Sequence, residues 1–294
     1  MASAERITDR IVYHGEGPCW APSWPGTGGG LRFVDMIAGD VLTLTTDGTL
    51  TRRHYGEVAA IVRPRSSGGA VVAVERGFVL EAPDGELTTL PELWGAAVGI
   101  RMNEGGCDPD GRWYAGTMAY EQADGAGEGR GTVYRMDAAG HLEVVVEGVT
   151  ISNGLGWSPD GTLAYYNDTP TGRTDVFDYA IDSGLTNRRP FAQVNDETGN
   201  NNPDGLCVDA EGGVWTALFG GSGVRRYAPD GTLDAVVEVA ARQVTACTFG
   251  GPDLDQLFIT TSRENLDEGD DPAAGSLFRH VPGVKGLPVL PFAG

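Results

Sequence analysis

Basic side chains are scarce in this chain. Its 294 residues hold 21 Lys and Arg against 41 Asp and Glu, a formal net charge of −20. Such a chain repels a phosphate backbone, which excludes nucleic acid as a natural partner. The 4 cysteines, Cys19, Cys107, Cys207 and Cys247, have no CxxC spacing, so a zinc knuckle is excluded and small buried strand residues are expected. The 4 histidines, His14, His54, His141 and His280, are scattered without metal-ligand spacing; His14, two residues before Glu16, reads as a packed or exposed histidine, with a supporting place behind Glu16 as the alternative. No apolar run approaches membrane-spanning length. The segment from Met1 to Arg6 lacks the apolar core of a secretory signal, so a cytoplasmic protein with reduced thiols is expected. Gly-x-Ser-x-Gly, P-loop and dinucleotide fingerprints are missing as well. The acidic run from Asp267 to Asp271 lacks the remaining ligands of an EF-hand and reads as a solvated loop.

Glycine is abundant, at 45 residues, with 17 prolines. Neither is periodic in the collagen manner, so they imply many turns between short strands. A strand ending in a turn recurs six times, at Val41–Leu44, Phe78–Leu80, Val133–Met136, Val176–Tyr179, Val224–Tyr227 and Leu277–His280. A second element, a tight turn leading into an apolar-aromatic strand, precedes most copies. Examples are Asp110-Gly111 before Trp113-Tyr114 and Asp160-Gly161 before Tyr165-Tyr166. Asp-Gly between strand-like runs is a hairpin signal because both residues tolerate positive φ. Six repeats of somewhat under about 50 residues fit six four-stranded blades. The expected fold is all-β, a six-bladed β-propeller forming a single domain over residues 1–294.

Four polar clusters stand at matching places in different repeats: Glu16 in Gly15-Glu16-Gly17-Pro18, Asn103 in Arg101-Met102-Asn103-Glu104, Asn153 in Ser152-Asn153-Gly154-Leu155, and Asp204 in Asn202-Pro203-Asp204-Gly205. Singly, each is ordinary turn chemistry. In a propeller, equivalent positions converge on the axis. Two carboxylates and two amides would then meet as hard oxygen donors, suited to Ca²⁺, Mg²⁺ or Mn²⁺, with Zn²⁺ or Fe²⁺ also possible. The expected architecture therefore includes a metal site in the central channel.

These motifs resemble the senescence-marker protein (regucalcin)/gluconolactonase family, which also includes luciferin-regenerating enzymes. The resemblance rests on Glu16-Gly17-Pro18-Cys19-Trp20, Arg101-Met102-Asn103, Gly116-Thr117-Met118-Ala119, Ser152-Asn153-Gly154-Leu155 and Pro203-Asp204-Gly205. It extends through Asp209-Ala210-Glu211-Gly212 and Phe249-Gly250-Gly251 to Gly283-Val284-Lys285-Gly286. It implies one divalent metal cation held by Glu16, Asn153 and Asp204. Arg101, Asn103 and Glu121 match positions that contact a sugar. The implied activity is metal-dependent hydrolysis of a sugar aldonolactone, with Asp204 as general base; the oligomeric state is not readable from the sequence, and a monomer is the default expectation. Two positions depart from the family pattern: Glu104 and Gly156 stand where Asp is usual, and both bear on the pocket rather than on the proposed ligands. Rival readings are a propeller hydrolase of a phosphoester or non-sugar lactone, a calcium-binding regulatory protein, and a scaffold for other proteins.

Overall fold

A computed structural model describes residues 2–195 and 199–294. Its strands form six sheets in chain order. Blade one comprises Gly15–Trp24, Thr27–Asp35, Asp40–Thr45 and Leu50–His54, and blade two Ala59–Pro64, Ala70–Val74, Gly77–Glu81 and Leu87–Thr89. Blade three comprises Ile100–Cys107, Trp113–Ala119, Gly131–Met136 and Leu142–Val149. Blade four comprises Ser152–Trp157, Leu163–Asp168, Arg173–Ala180 and Gly184–Gln193. Blade five comprises Asn202–Val208, Val214–Phe219, Gly223–Tyr227 and Leu233–Glu238, and blade six begins with Val244–Gly250, Gln256–Thr261 and Phe278–His280. The first strand of each blade packs against the first strand of the next, and Val244–Gly250 returns to Gly15–Trp24. This closes the ring of a six-bladed propeller. All six copies of the recurring strand are third strands of blades, and the apolar-aromatic elements are second strands.

The chain's beginning closes the circle. Glu5–Arg6 pairs antiparallel with Phe278–His280 and supplies the fourth strand of blade six. Ala2–Ser3 adds in parallel to Leu233–Glu238 of blade five. Two-residue strands have no periodicity, which is why the sequence does not announce them.

Burial falls from the axis outward. Ile100–Cys107 is buried throughout, whereas Leu50–His54, an outer strand, is exposed throughout. Between blades, aromatic rings lock neighbours together: Phe78 meets Trp113 edge-on at 6.2 Å, Tyr114 meets Trp157 at 5.3 Å, and Trp215 meets Phe249 at 5.8 Å. Such pairs contribute about 0.5–1.5 kcal/mol beyond area burial. The turns are held as their residue types require. Asp209 Oδ1 accepts from the N–H groups of Glu211 and Gly213 at 2.9 and 2.8 Å. Its Oδ2 accepts from Trp215 Nε1 and Arg226 Nε, so this buried charge is paired.

Candidate functional site

Every first strand departs from regular pairing at one level. The register shifts lie between Glu16 and Cys19, Ala59 and Ile61, Met102 and Gly105, Ser152 and Leu155, Pro203 and Leu206, and Val244 and Ala246. A bulge leaves residues unpaired and re-aims their side chains. The residues inside these bulges include Asn103, Glu104, Asn153 and Asp204, while Glu16 is the last paired residue before its own. The motif glycines serve the same geometry. A Cβ on Gly154 would lie 2.4 Å from the backbone N of Leu206, and one on Gly205 would lie 2.5 Å from Ala246 Cβ. Gly154 and Gly205, each directly after a polar residue, therefore let the neighbouring blade's inner strand approach, which tightens the ring around the polar groups.

Glu16, Asn103, Glu104, Asn153 and Asp204 are each 3–5% exposed. Asn103 Nδ2 donates to Asn153 Oδ1 at 3.2 Å and to the Ser152 carbonyl at 2.9 Å. Arg101 Nη1 donates to Asn103 Oδ1 at 2.7 Å. Asn153 Nδ2 donates to Thr169 Oγ1, which in turn donates to the Pro203 carbonyl. Both functional ends of Asn103 are thus engaged, and it orients Asn153 with the amide oxygen on the side of Asn103. Asn167 Nδ2 donates to the Asp204 carbonyl and pins that strand.

The carboxylates carry the strain of the site. Burial raises Glu16 and Asp204 well above the usual carboxylate range. Glu16 is pushed further by Asp204 and Glu104, and Asp204 by Glu104 and Glu264. Burial raises Glu104 to about 7, against the pull of Arg63. Burial also lowers the Arg101 guanidinium, so water-poor surroundings oppose both signs of charge. Asp204 Oδ1 and Glu104 Oε2 are buried and accept no hydrogen bond from the described residues. Orphaned buried carboxylate oxygens are costly unless something cationic meets them. A divalent cation fits that need and this all-oxygen donor chemistry. No group of three or more His, Cys, Asp or Glu among the described residues is disposed to hold a metal; the expected trio of Glu16, Asn153 and Asp204 counts an amide among its donors.

His14 is the packed histidine expected from the sequence, and it also takes the alternative place beside Glu16. It is 5% exposed and built into the site: its Nδ1 shares a 2.7 Å hydrogen bond with Ser262 Oγ, and its Nε2 lies 3.7 Å from Glu16 Oε1. Burial, aided by Arg101, lowers its pKa to about 3, which keeps the imidazole neutral. Its position two residues before Glu16, just ahead of the strand Gly15–Trp24 and bridged to Ser262, was a signal, since alternate residues of extended chain share a face. Ser262 offered none, being 248 residues away. Glu121 stands apart. It is exposed, and its Oε1 accepts from the Ala123 N–H at 2.8 Å. It follows the strand whose Ala119 pairs with Ile100, so it leaves the sheet at the rim on the Arg101 side, and none of its described hydrogen bonds reaches Arg101 or Asn103. The two departures separate spatially. Glu104 belongs to the polar cluster, with Arg63 Nη2 3.5 Å away. Gly156 lines a cavity of about 380 Å³ at the far end of the inner strands, among Leu155, Leu206 and Phe249. Arg63 and Asp160 are the charged residues of that lining, so the acids define a site at the opposite, polar end.

No helix of the described residues is long and apolar enough to cross a membrane. Regucalcin of Sus scrofa is 35% identical over 283 residues, covering 93% of this chain and 94% of that one. A Bacillus subtilis protein named as a candidate sugar lactone lactonase is 31% identical over 287 residues, covering 95% of each. The structure of a calcium-binding protein, regucalcin, from Agrobacterium tumefaciens has a TM-score of 0.89 at 28% identity, covering 100% of this chain and 99% of that one. Residues 14–263 match the family model of the SMP-30/Gluconolactonase/LRE-like region, a span that holds Glu16, Asn103, Asn153 and Asp204 alike. Ring, bulges and ordered motifs agree with these likenesses, and the chain belongs to the SMP-30/gluconolactonase/LRE-like family.

Proposed function

We propose that this protein hydrolyses a sugar aldonolactone, of the gluconolactone or xylonolactone kind, to the aldonic acid, using one divalent cation held by Glu16, Asn153 and Asp204. The observation that carries the reading is the buried, unpartnered Oδ1 of Asp204, on a carboxylate that repels and is repelled by neighbouring buried acids, taken with membership of a family that includes gluconolactonases. A dication bound there supplies a Lewis acid for the lactone carbonyl. Asp204 takes the proton of the attacking water and returns it to the ring oxygen as the C–O bond breaks. Arg101, whose described hydrogen bonds run from Nη1, turns the rest of its guanidinium to the substrate hydroxyls. Asn103 holds Asn153 and Arg101 in place, and Glu121 meets the substrate from the rim.

The test is proton release from a panel of aldonolactones by chelator-treated protein, with Ca²⁺, Mg²⁺, Mn²⁺, Zn²⁺ or Fe²⁺ restored, beside Asp204→Ala. We expect one cation to restore hydrolysis and the variant to lose it. A rate no faster than the spontaneous reaction on every lactone overturns the reading. Cation binding without turnover would favour the second reading, a regulatory calcium-binding protein, which the name of the Agrobacterium tumefaciens relative supports.

A further inference from the structure

Two thiols meet where the proposed chemistry has no use for them. Cys207, on the inner strand of blade five, and Cys247, on that of blade six, bring their Sγ atoms within 3.6 Å. Both line the apolar cavity at the far end of the channel. All four cysteines are free; Cys19, Cys107 and Cys247 are buried, and Cys207 is partly exposed. The two inner strands already run close, since a Cβ on Gly205 would lie 3.0 Å from the Thr245 carbonyl. A disulfide needs its sulfurs about 2 Å apart, so side-chain torsions have roughly 1.5 Å to close.

We propose that Cys207 and Cys247 form an oxidisable dithiol that peroxide closes to a disulfide, stapling the inner strands of blades five and six. The Cys207 thiolate attacks one peroxide oxygen, giving a sulfenic acid and hydroxide. The Cys247 sulfur then attacks the sulfenic sulfur, releasing water and forming the S–S bond. Two thiols lose two electrons and two protons, and one peroxide becomes two waters. Burial and the neighbouring Cys247 raise the Cys207 thiol above its ordinary range, so closure is slow at neutral pH and quickens as pH rises. The inference does not depend on the lactonase reading.

Arg225, Arg226 and Arg242 lie between the two cysteines, so trypsin separates them unless they are joined. The full chain is treated with hydrogen peroxide, its remaining thiols are alkylated, and the tryptic peptides are weighed before and after reduction. We expect a Cys207–Cys247 cross-linked pair that reduction separates, with Cys19 and Cys107 still alkylated. In Cys247→Ala, Cys207 should instead reach the sulfinic acid. Sulfinic acid at Cys207 in the unaltered chain, no oxidation of either thiol, or cross-links that also involve Cys19 or Cys107 would overturn the proposal.

Discussion

Neutralising Glu104 should stabilise the cation-free protein, and by an amount that depends on pH. The carboxyl is 5% exposed, and its Oε2 has no partner among the described residues. Burial moves it from an ordinary 4.5 to about 7. A carboxyl raised on folding favours the folded state below its unfolded pKa, and that favour is lost as pH climbs through the folded value. At about 1.4 kcal/mol per pKa unit, ionised Glu104 costs on the order of 3 kcal/mol at about pH 8 and under about 1 kcal/mol at about pH 5. Glu104→Gln keeps the shape and removes the charge. Urea unfolding of chelator-treated protein, unaltered and variant, should therefore show a stability difference that grows in the variant's favour by about 2 kcal/mol between those two pH values. Parallel stability-versus-pH curves, or a variant that falls further behind at the higher pH, would refute the reasoning that burial governs this carboxyl.

Two further outcomes follow from the same geometry. Because Glu16 and Asp204 are raised by burial and like charge, cation binding should release protons and weaken as pH falls; titration calorimetry in two buffers of different ionisation heat reads this, and a buffer-independent heat would contradict it. Deleting residues 2 to 6 removes the outermost strand of blade six and the Ala4 N–H bond to the Glu238 carbonyl. At about 1 kcal/mol per lost backbone hydrogen bond, stability should fall by a few kcal/mol, with aggregation at the bared edge. An unchanged urea midpoint would show that the closing strand contributes nothing.

The third strands were legible because each ends in a Gly or Asp-Gly turn, such as Asp47-Gly48, where Gly48 takes a φ of 86°. The convergence of Glu16, Asn103, Asn153 and Asp204 was legible because blade equivalence places them at one level. The bulges were not, because an unpaired Asn103-Glu104 reads the same as a paired one until its partner strand is seen. Nor was the hydrogen bond of His14, whose partner Ser262 is contributed by the last blade. Glu121, carried over from family likeness, sits on a rim loop, where sequence position says least about side-chain direction. The site's energetics depended on burial of both sides of the inner strands, which composition does not reveal.

The closing of blade six by Glu5–Arg6 also sets an order of events in time. These residues leave the ribosome well before their partner Phe278–His280. At about 5–20 residues per second, the first strand waits roughly 15–60 s for its edge. Throughout that wait the ring is open, and Glu16 of blade one has no neighbour from blade six. A strand of two charged residues, Glu5 and Arg6, is a poor template for wrong pairing during the delay. The brevity of the clasp thus reads as protection for a chain that cannot assemble its channel until blade six has been made.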